Sequence, residues 1–165
     1  MLLEGSCHCG KVSFSMESHT PYPYMQCYCS ICRKTAGGGG FAINIMAEAK
    51  SLKVEGMDNV KMYQAKVPKE DNPEELETSL ARRHFCGSCG SALWVADPRW
   101  EEWIYPFASA INTTLPKPPE RVHIMLEFAA PWCRVPQGEM ESHFPGYPDE
   151  AIVDWHKRHG LYDGS

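Results

Sequence analysis

Apolar and polar residues alternate along several short stretches of the chain. Val12, Phe14 and Met16 are separated by polar residues, which predicts that their side chains share one face of a half-buried strand. Similar β-branched or aromatic runs predict strands over residues 41–46, 52–54, 92–96, 103–107 and 122–128. The pattern therefore predicts a mainly β fold built from antiparallel sheets.

Two stretches carry signals for short helices. Asn72 can act as an N-cap, Pro73 occupies the first helical position, and Leu76 and Leu80 lie one helical repeat apart. Near the C-terminus, an acidic start and a basic finish followed by a glycine predict a second helix over residues 149–160. We therefore expect one or two short helices beside the sheets.

Composition limits the classes of protein to which the chain can belong. With 165 residues, of which 43% are hydrophobic, it is expected to form a single domain over residues 1–165, with residues 136–165 as a C-terminal extension packed on it. A net charge of -5 offers no positive field for a phosphate backbone, so we expect no nucleic acid partner. No apolar run approaches about 18 residues, and the start lacks a signal-peptide pattern. We expect a cytoplasmic protein without a membrane partner, of unknown oligomeric state.

Seven of the eight cysteines fall into three clusters, at residues 7–9, 27–32 and 86–89. Close cysteines in a reducing compartment are more typical of metal sites than of disulfides. Zinc, with bonds of about 2.3 Å to sulfur, needs neighbouring sulfur atoms roughly 3.8 Å apart. A Cys-x-Cys pair on an extended segment or a Cys-x-x-Cys pair in a turn can meet that spacing. The clusters therefore predict zinc binding, with buried, inert thiols as the alternative.

Seven thiols divide naturally into a set of four and a set of three. Four thiolates close a zinc site, whereas three leave one coordination position for water or substrate. Spacing does not establish which clusters pair, but only one run supplies three ligands locally, namely Cys27, Cys29 and Cys32. The two remaining pairs would then form the closed site. Tyr28 is the aromatic residue expected to touch a ligand.

Other residues remain open to more than one interpretation. Cys133 could be a fourth ligand, a reactive thiol or a plain buried residue, and we favour the last. His8 is expected to point away from the neighbouring cysteines, while His156 and His159 fit a charged helix end better than a metal site. The glycines at residues 37–40 permit either close approach of the backbone to a ligand or a flexible turn.

The cysteine clusters and their flanks resemble the family of glutathione-dependent formaldehyde-activating enzymes and centromere protein V. The resemblance rests on residues 5–12, 27–34 and 85–91, together with Ala130-Pro131-Trp132, and extends over roughly residues 4–135. It implies a zinc-stapled β-tent fold. It also implies a structural zinc on Cys7, Cys9, Cys86 and Cys89, and a second, catalytic zinc on Cys27, Cys29 and Cys32.

The resemblance also suggests an activity. It implies a carbon-sulfur lyase-type enzyme that makes or breaks an S-hydroxymethyl glutathione adduct or a related conjugate, with glutathione as a possible co-substrate and a small thiol or aldehyde as substrate. The alternative is a non-catalytic zinc module that binds a protein or a small ligand. The polar stretch over residues 66–82 looks longer than the family's usual connection and forms either a lid or, preferably, a surface loop.

Overall fold

A computed structural model of the chain describes residues 1–164, and short strands joined by loops dominate them. The strands are β1 Leu2–Ser6, β2 Ser13–Glu17, β3 Met25–Cys27, β4 Ala42–Ile43, β5 Ala47–Glu48, β6 Lys53–Glu55, β7 Val60–Tyr63, β8 Lys66–Pro68, β9 Leu76–Thr78, β10 Arg82–Cys86, β11 Ala92–Ala96, β12 Trp103–Pro106, β13 Arg121–Ile124 and β14 Glu141–His143. The α-helices are α1 Ser30–Ala36 and α2 Ile152–Arg158. The predicted mainly β fold with short helices is confirmed. Neither helix is long and apolar enough to cross a bilayer.

The strands form four sheets. Their strand orders are β1-β2-β6, β5-β12-β11-β10-β7, β14-β13-β3-β4 and the hairpin β8-β9. Most neighbours are antiparallel, as predicted, but β13 runs parallel to both β3 and β14. Parallel pairing is possible here because a long crossover, and not a tight hairpin, connects β3 to β13.

The alternating segment of β2 builds one hydrophobic core. Val12, Phe14 and Met16 are all buried, which confirms their predicted common face. Phe14 packs edge-on against Trp94 of β11, with ring centroids 5.2 Å apart, a geometry worth about 0.5–1.5 kcal/mol beyond the area buried. Cys7 and Cys86 belong to the same core, so this packing also positions two thiols.

A second core lies between β3, β13 and α2. The ring of Trp155 stacks on Tyr24, with centroids 3.7 Å apart and planes 5° apart. The predicted helix near the C-terminus is therefore present and packs on the sheet. His156 is fully buried and not part of an exposed helix end. Both of its ring nitrogens are hydrogen-bonded: Nε2 accepts from the Tyr22 amide at 3.3 Å, and Nδ1 donates to the Ile152 carbonyl at 2.8 Å.

The helix predicted from Asn72 is wrong. The chain turns there and then forms β9, which pairs with β8 as a surface hairpin. Leu76 and Leu80 are both exposed, so no apolar surface stabilises an amphipathic helix. A helix this short gains too little from its own hydrogen bonds to form without such packing.

The strand predicted over residues 122–128 is too long. β13 ends at Ile124, and Met125 adopts a left-handed conformation with φ of 58°. Residues 126–128 then form a single 3-10 turn, in which Phe128 is half exposed. The alternating pattern continues through this point, but the left-handed residue turns the backbone out of the sheet.

A partly buried carboxylate connects the second core to the C-terminal helix. Glu120 accepts hydrogen bonds from Ser142, Trp155, Arg158 and His159 at 2.5–3.2 Å. Burial alone would raise the pKa of Glu120, but these hydrogen bonds outweigh it and lower the pKa to about 2. The folded protein therefore favours the ionised form of Glu120.

Acid is expected to remove this stabilisation. It is fully present above the ordinary pKa of 4.5 and is lost as the pH falls toward about 2. The shift corresponds to about 3 kcal/mol, of which about 2 kcal/mol is lost by pH 3. Urea unfolding of wild type and Glu120→Gln between pH 6 and pH 3 measures it. The stability difference between the two proteins should shrink as the pH falls, and a constant difference would contradict this role.

Candidate metal centres

Two hairpin turns bring four cysteines together. Cys7 and Cys9 lie in the turn between β1 and β2, while Cys86 ends β10 and Cys89 lies in the turn before β11. The four sulfur atoms all lie within 4.8 Å of one another. The Sγ atoms of Cys7 and Cys9 are 3.5 Å apart, and those of Cys9 and Cys86 are 3.8 Å apart.

Backbone hydrogen bonds hold these turns in shape. The Cys86 amide donates to the Ser91 carbonyl at 2.9 Å, and the Gly90 amide donates to the Cys86 carbonyl at 2.8 Å. Gly90 has a φ of 76°, which favours glycine at this corner. The His8 amide donates to the Ser91 hydroxyl at 3.0 Å and so joins the two turns, while the His8 side chain is exposed.

The four-cysteine cluster fits a zinc ion. The sulfur–sulfur distances of 3.5 and 3.8 Å are close to the roughly 3.8 Å that a tetrahedral site requires. Two of the thiols are buried in the first core and two are exposed at the rim. Four sulfur donors would complete the coordination, which is typical of a structural site.

The other three clustered cysteines form a separate group. Cys27 ends β3, Cys29 caps α1, and Cys32 lies in the first turn of α1. The three sulfur atoms lie within 4.8 Å of one another, and the Cys32 amide donates to the Cys29 sulfur at 3.3 Å. In the described part of the chain, no His, Asp, Glu or further Cys joins this group. The donors fit zinc with one coordination position left open.

Burial and proton sharing distinguish the three thiols. Cys27 and Cys32 are buried, whereas Cys29 is partly exposed. The hydrogen bond with Cys27 lowers the pKa of Cys29, and the same contact raises the pKa of Cys27. Metals bind the thiolate form of cysteine, and Cys29 is the member of the group that solvent reaches most easily.

Cys133 lies outside both groups. Its thiol is half-buried and donates to the Gly39 carbonyl at 3.4 Å. A Cβ atom built on Gly40 would lie 2.4 Å from the Cys133 sulfur, so this position has no room for a larger residue. The glycine run at residues 37–40 is thus a turn that packs against Cys133. Cys133 therefore neither lies on an open surface nor belongs to the three-cysteine group.

Comparison with known proteins places the chain in a family. A family model described as glutathione-dependent formaldehyde-activating enzyme matches residues 2–125. The chain belongs to this family. A protein of Halomonas elongata that is provisionally named a glutathione-dependent formaldehyde-activating enzyme is 54% identical over 164 residues, which cover 99% of this chain and 100% of that protein. A crystal structure of a Rhodobacter sphaeroides protein aligns with a TM-score of 0.50 at 25% identity, over 68% of this chain and 91% of that one.

A buried hydrogen-bond chain supports the three-cysteine group of this glutathione-dependent formaldehyde-activating family member. His123 is fully buried, and its Nε2 donates to the Glu141 carboxylate at 2.6 Å. Its Nδ1 shares a hydrogen bond of 2.9 Å with the hydroxyl of Tyr28, which lies between Cys27 and Cys29. The hydrogen bond from His123 lowers the pKa of Glu141. Tyr28 is thus the residue that links this network to the three-cysteine group. Glu141, at the other end of the network, lies beyond the residues matched by the family model.

Breaking the hydrogen bonds of His123 is expected to destabilise the protein. In His123→Phe the Glu141 carboxylate and the Tyr28 hydroxyl lose their shared partner, so the free energy of unfolding should fall by about 3 kcal/mol. Tyr28→Phe removes one hydroxyl and should cost about 1 kcal/mol. Urea unfolding of both variants measures the effect. Equally small losses of unfolding free energy in the two variants would show that the hydrogen bond between His123 and Glu141 contributes little to stability.

Proposed function

We propose that the chain is a zinc-dependent enzyme of the carbon-sulfur lyase type that acts on a thiol adduct, S-hydroxymethyl glutathione or a related small-molecule conjugate. The observation that carries the proposal is the three-cysteine group, which has one partly exposed thiol and no fourth protein ligand among the described residues. Membership of the glutathione-dependent formaldehyde-activating family supports it. Glutathione is the proposed co-substrate.

The two groups of cysteines are proposed to have different tasks. Cys7, Cys9, Cys86 and Cys89 would hold a structural zinc that joins the hairpin β1-β2 to the hairpin β10-β11. Cys27, Cys29 and Cys32 would hold the catalytic zinc. A zinc ion bound there would supply a Lewis acid, able to polarise a carbonyl oxygen or to hold a thiolate.

The reaction exchanges two bonds for two: a carbon–sulfur and an oxygen–hydrogen bond form as the sulfur–hydrogen bond and the carbonyl π bond break, or the reverse. In the synthetic direction the thiol sulfur bonds to the carbonyl carbon of the aldehyde, and the thiol proton ends on the carbonyl oxygen. In the reverse direction the same carbon–sulfur bond breaks, and the hydroxyl proton returns to sulfur. The partly exposed Cys29 leaves substrate a way in, while the buried Cys27 and Cys32 close the site on the protein side.

Exchange spectroscopy tests the proposal. NMR of carbon-13 formaldehyde mixed with glutathione is used to measure the rate of exchange between free aldehyde and adduct, with and without the protein. Zinc-loaded wild type is expected to accelerate that exchange, and the variant Cys133→Ser, which lies outside both groups, should match it. Failure to accelerate exchange with glutathione or with other small thiols would favour the non-catalytic zinc module.

We also propose a cytoplasmic location, and the support for it is the close grouping of the cysteines. Seven of the eight cysteines lie in two groups whose sulfur atoms are close enough to share a metal. Reducing compartments preserve such thiols as metal ligands, whereas oxidising ones convert close pairs to disulfides.

A further inference from the structure

Arg83 lies beside the three-cysteine group, although it comes from a distant strand. It is in β10, three positions before Cys86 of the other group. Both terminal nitrogens of its guanidinium group lie 3.8 Å from the sulfur of Cys32. Its neighbour Arg82 is exposed and makes no such contact.

The surroundings of Arg83 lack the usual partner of a guanidinium group. The side chain is half-buried, and among residues 1–164 no carboxylate forms an ion pair with it. Partly burying a cation without a nearby anion is costly. The group that the guanidinium contacts is the sulfur of Cys32, which would become an anionic thiolate on binding a metal.

The charges of the loaded site explain why a cation is useful at this place. Three thiolates and one zinc ion together carry one negative charge, and a bound substrate thiolate would add a second. In a partly buried site such charges repel one another more strongly than they do in water. A guanidinium group at hydrogen-bonding distance from one sulfur offsets this repulsion and draws some electron density from the sulfur.

We propose that Arg83 is a positioning residue that counters the negative charge of the three-cysteine site, so that the site retains its zinc and accepts an anionic thiolate as its fourth ligand. This inference rests on the proposed zinc binding at the same cysteines and narrows the substrate class to thiols that bind in the ionised form. Arg83 acts through Cys32 and takes no part in bond making.

Zinc release from the full-length, zinc-loaded protein tests the proposal. The protein is mixed with an excess of the chromophoric chelator 4-(2-pyridylazo)resorcinol, and release is followed in wild type, Arg83→Gln, Arg83→Lys and the control Arg82→Gln. Wild type is expected to lose one zinc in a fast phase, from the three-cysteine site, and one in a slow phase. Glutathione binding is measured separately, from the absorption of cobalt-loaded protein.

Arg83→Gln is expected to accelerate the fast phase roughly tenfold or more, to leave the slow phase unchanged, and to weaken glutathione binding by a similar factor. Arg83→Lys, which keeps the charge but loses the fork of donors, should lie between wild type and Arg83→Gln. The unchanged slow phase shows in the same sample that the fold is intact.

Three outcomes would overturn the inference. If Arg83→Gln behaves like Arg82→Gln in both zinc release and glutathione binding, Arg83 has no such role, although the proposed function stands. If Arg83→Gln and Arg83→Lys accelerate both phases equally, Arg83 is structural. If wild type releases a single zinc in one phase, the proposed zinc site fails, and the inference that rests on it fails as well.

Discussion

Cys86→Ser is expected to lower the melting temperature by at least about 10 °C and to release the zinc of the four-cysteine site. Cys86 is fully buried in the first core, and its sulfur lies 3.8 Å from that of Cys9. Zinc binding at a structural site is worth about 10–16 kcal/mol in small zinc domains, and this energy is folding energy. Losing about 5 kcal/mol of it would lower the melting temperature by about 10–20 °C in a domain of this size.

Ser88→Ala is the matched control for this variant. Ser88 lies in the same turn, is exposed, and accepts a hydrogen bond only from the Lys11 amine at 3.2 Å. Its replacement should change stability by no more than about 0.5 kcal/mol. Calorimetry gives the melting temperatures, and native mass spectrometry gives the zinc content. A Cys86→Ser protein that keeps its zinc and melts within about 2 °C of wild type would refute a structural role for the four-cysteine site.

Local patterns in the sequence predicted the parts of the fold that local physics determines. The alternation around Phe14 predicted β2 because each strand side chain faces opposite to its neighbours. The strand at residues 92–96 was predicted with the same first and last residues that the structure has, since polar turns bound its apolar run. The cysteine clusters stood out because pairs of zinc ligands typically lie a few residues apart, even where the two pairs of one site are distant in the sequence.

The features that sequence analysis missed depend on contacts between distant residues. Arg83 reaches Cys32 across 51 positions, and His123 reaches Glu141 across 18. No local pattern pairs a histidine with a glutamate on another strand, and an arginine in a polar strand looks like any solvated residue. The N-cap of α1 could have been found, because Cys29 is followed by a run compatible with a helix, but its sulfur acts both as cap and as candidate ligand.

The helix that was wrongly predicted from Asn72 shows the opposite error. Its capping signals were sound, yet Leu76 and Leu80 had no core to pack against, so pairing with β8 prevailed. Helix signals predict a helix only where the fold offers an apolar surface to cover, and that surface is a property of the whole chain.

Cys29→Ser is expected to remove one of two zinc ions and the proposed activity, while leaving the melting temperature within about 3 °C of wild type. Cys29 is partly exposed, and its sulfur accepts the Cys32 amide as the cap of α1. Serine is one of the best N-cap residues, so its hydroxyl can take over that hydrogen bond. Serine thus keeps the helix start but removes one thiolate from the three-cysteine site.

Cys29→Ala separates the cap from the ligand. It should lose the same zinc ion as Cys29→Ser and cost about 1 kcal/mol more, because alanine cannot accept the Cys32 amide. Native mass spectrometry with added glutathione counts the zinc and shows whether a thiol still binds. Two zinc ions in wild type, one in each Cys29 variant, and bound thiol in wild type alone would support an open site for sulfur substrates.

The pair Cys86→Ser and Cys29→Ser tests the division of seven cysteines into four and three. A closed site in the first core should control folding, because Cys86 joins β10 to the turn after β1. An open site at the start of α1 should affect activity more than folding, because its Cys29 thiol is partly exposed and the hydrogen bond from the Tyr28 amide to the Ile124 carbonyl already holds its backbone. Equal loss of folding in both variants would contradict that division, since it would mean that the chain needs both metals to form its cores.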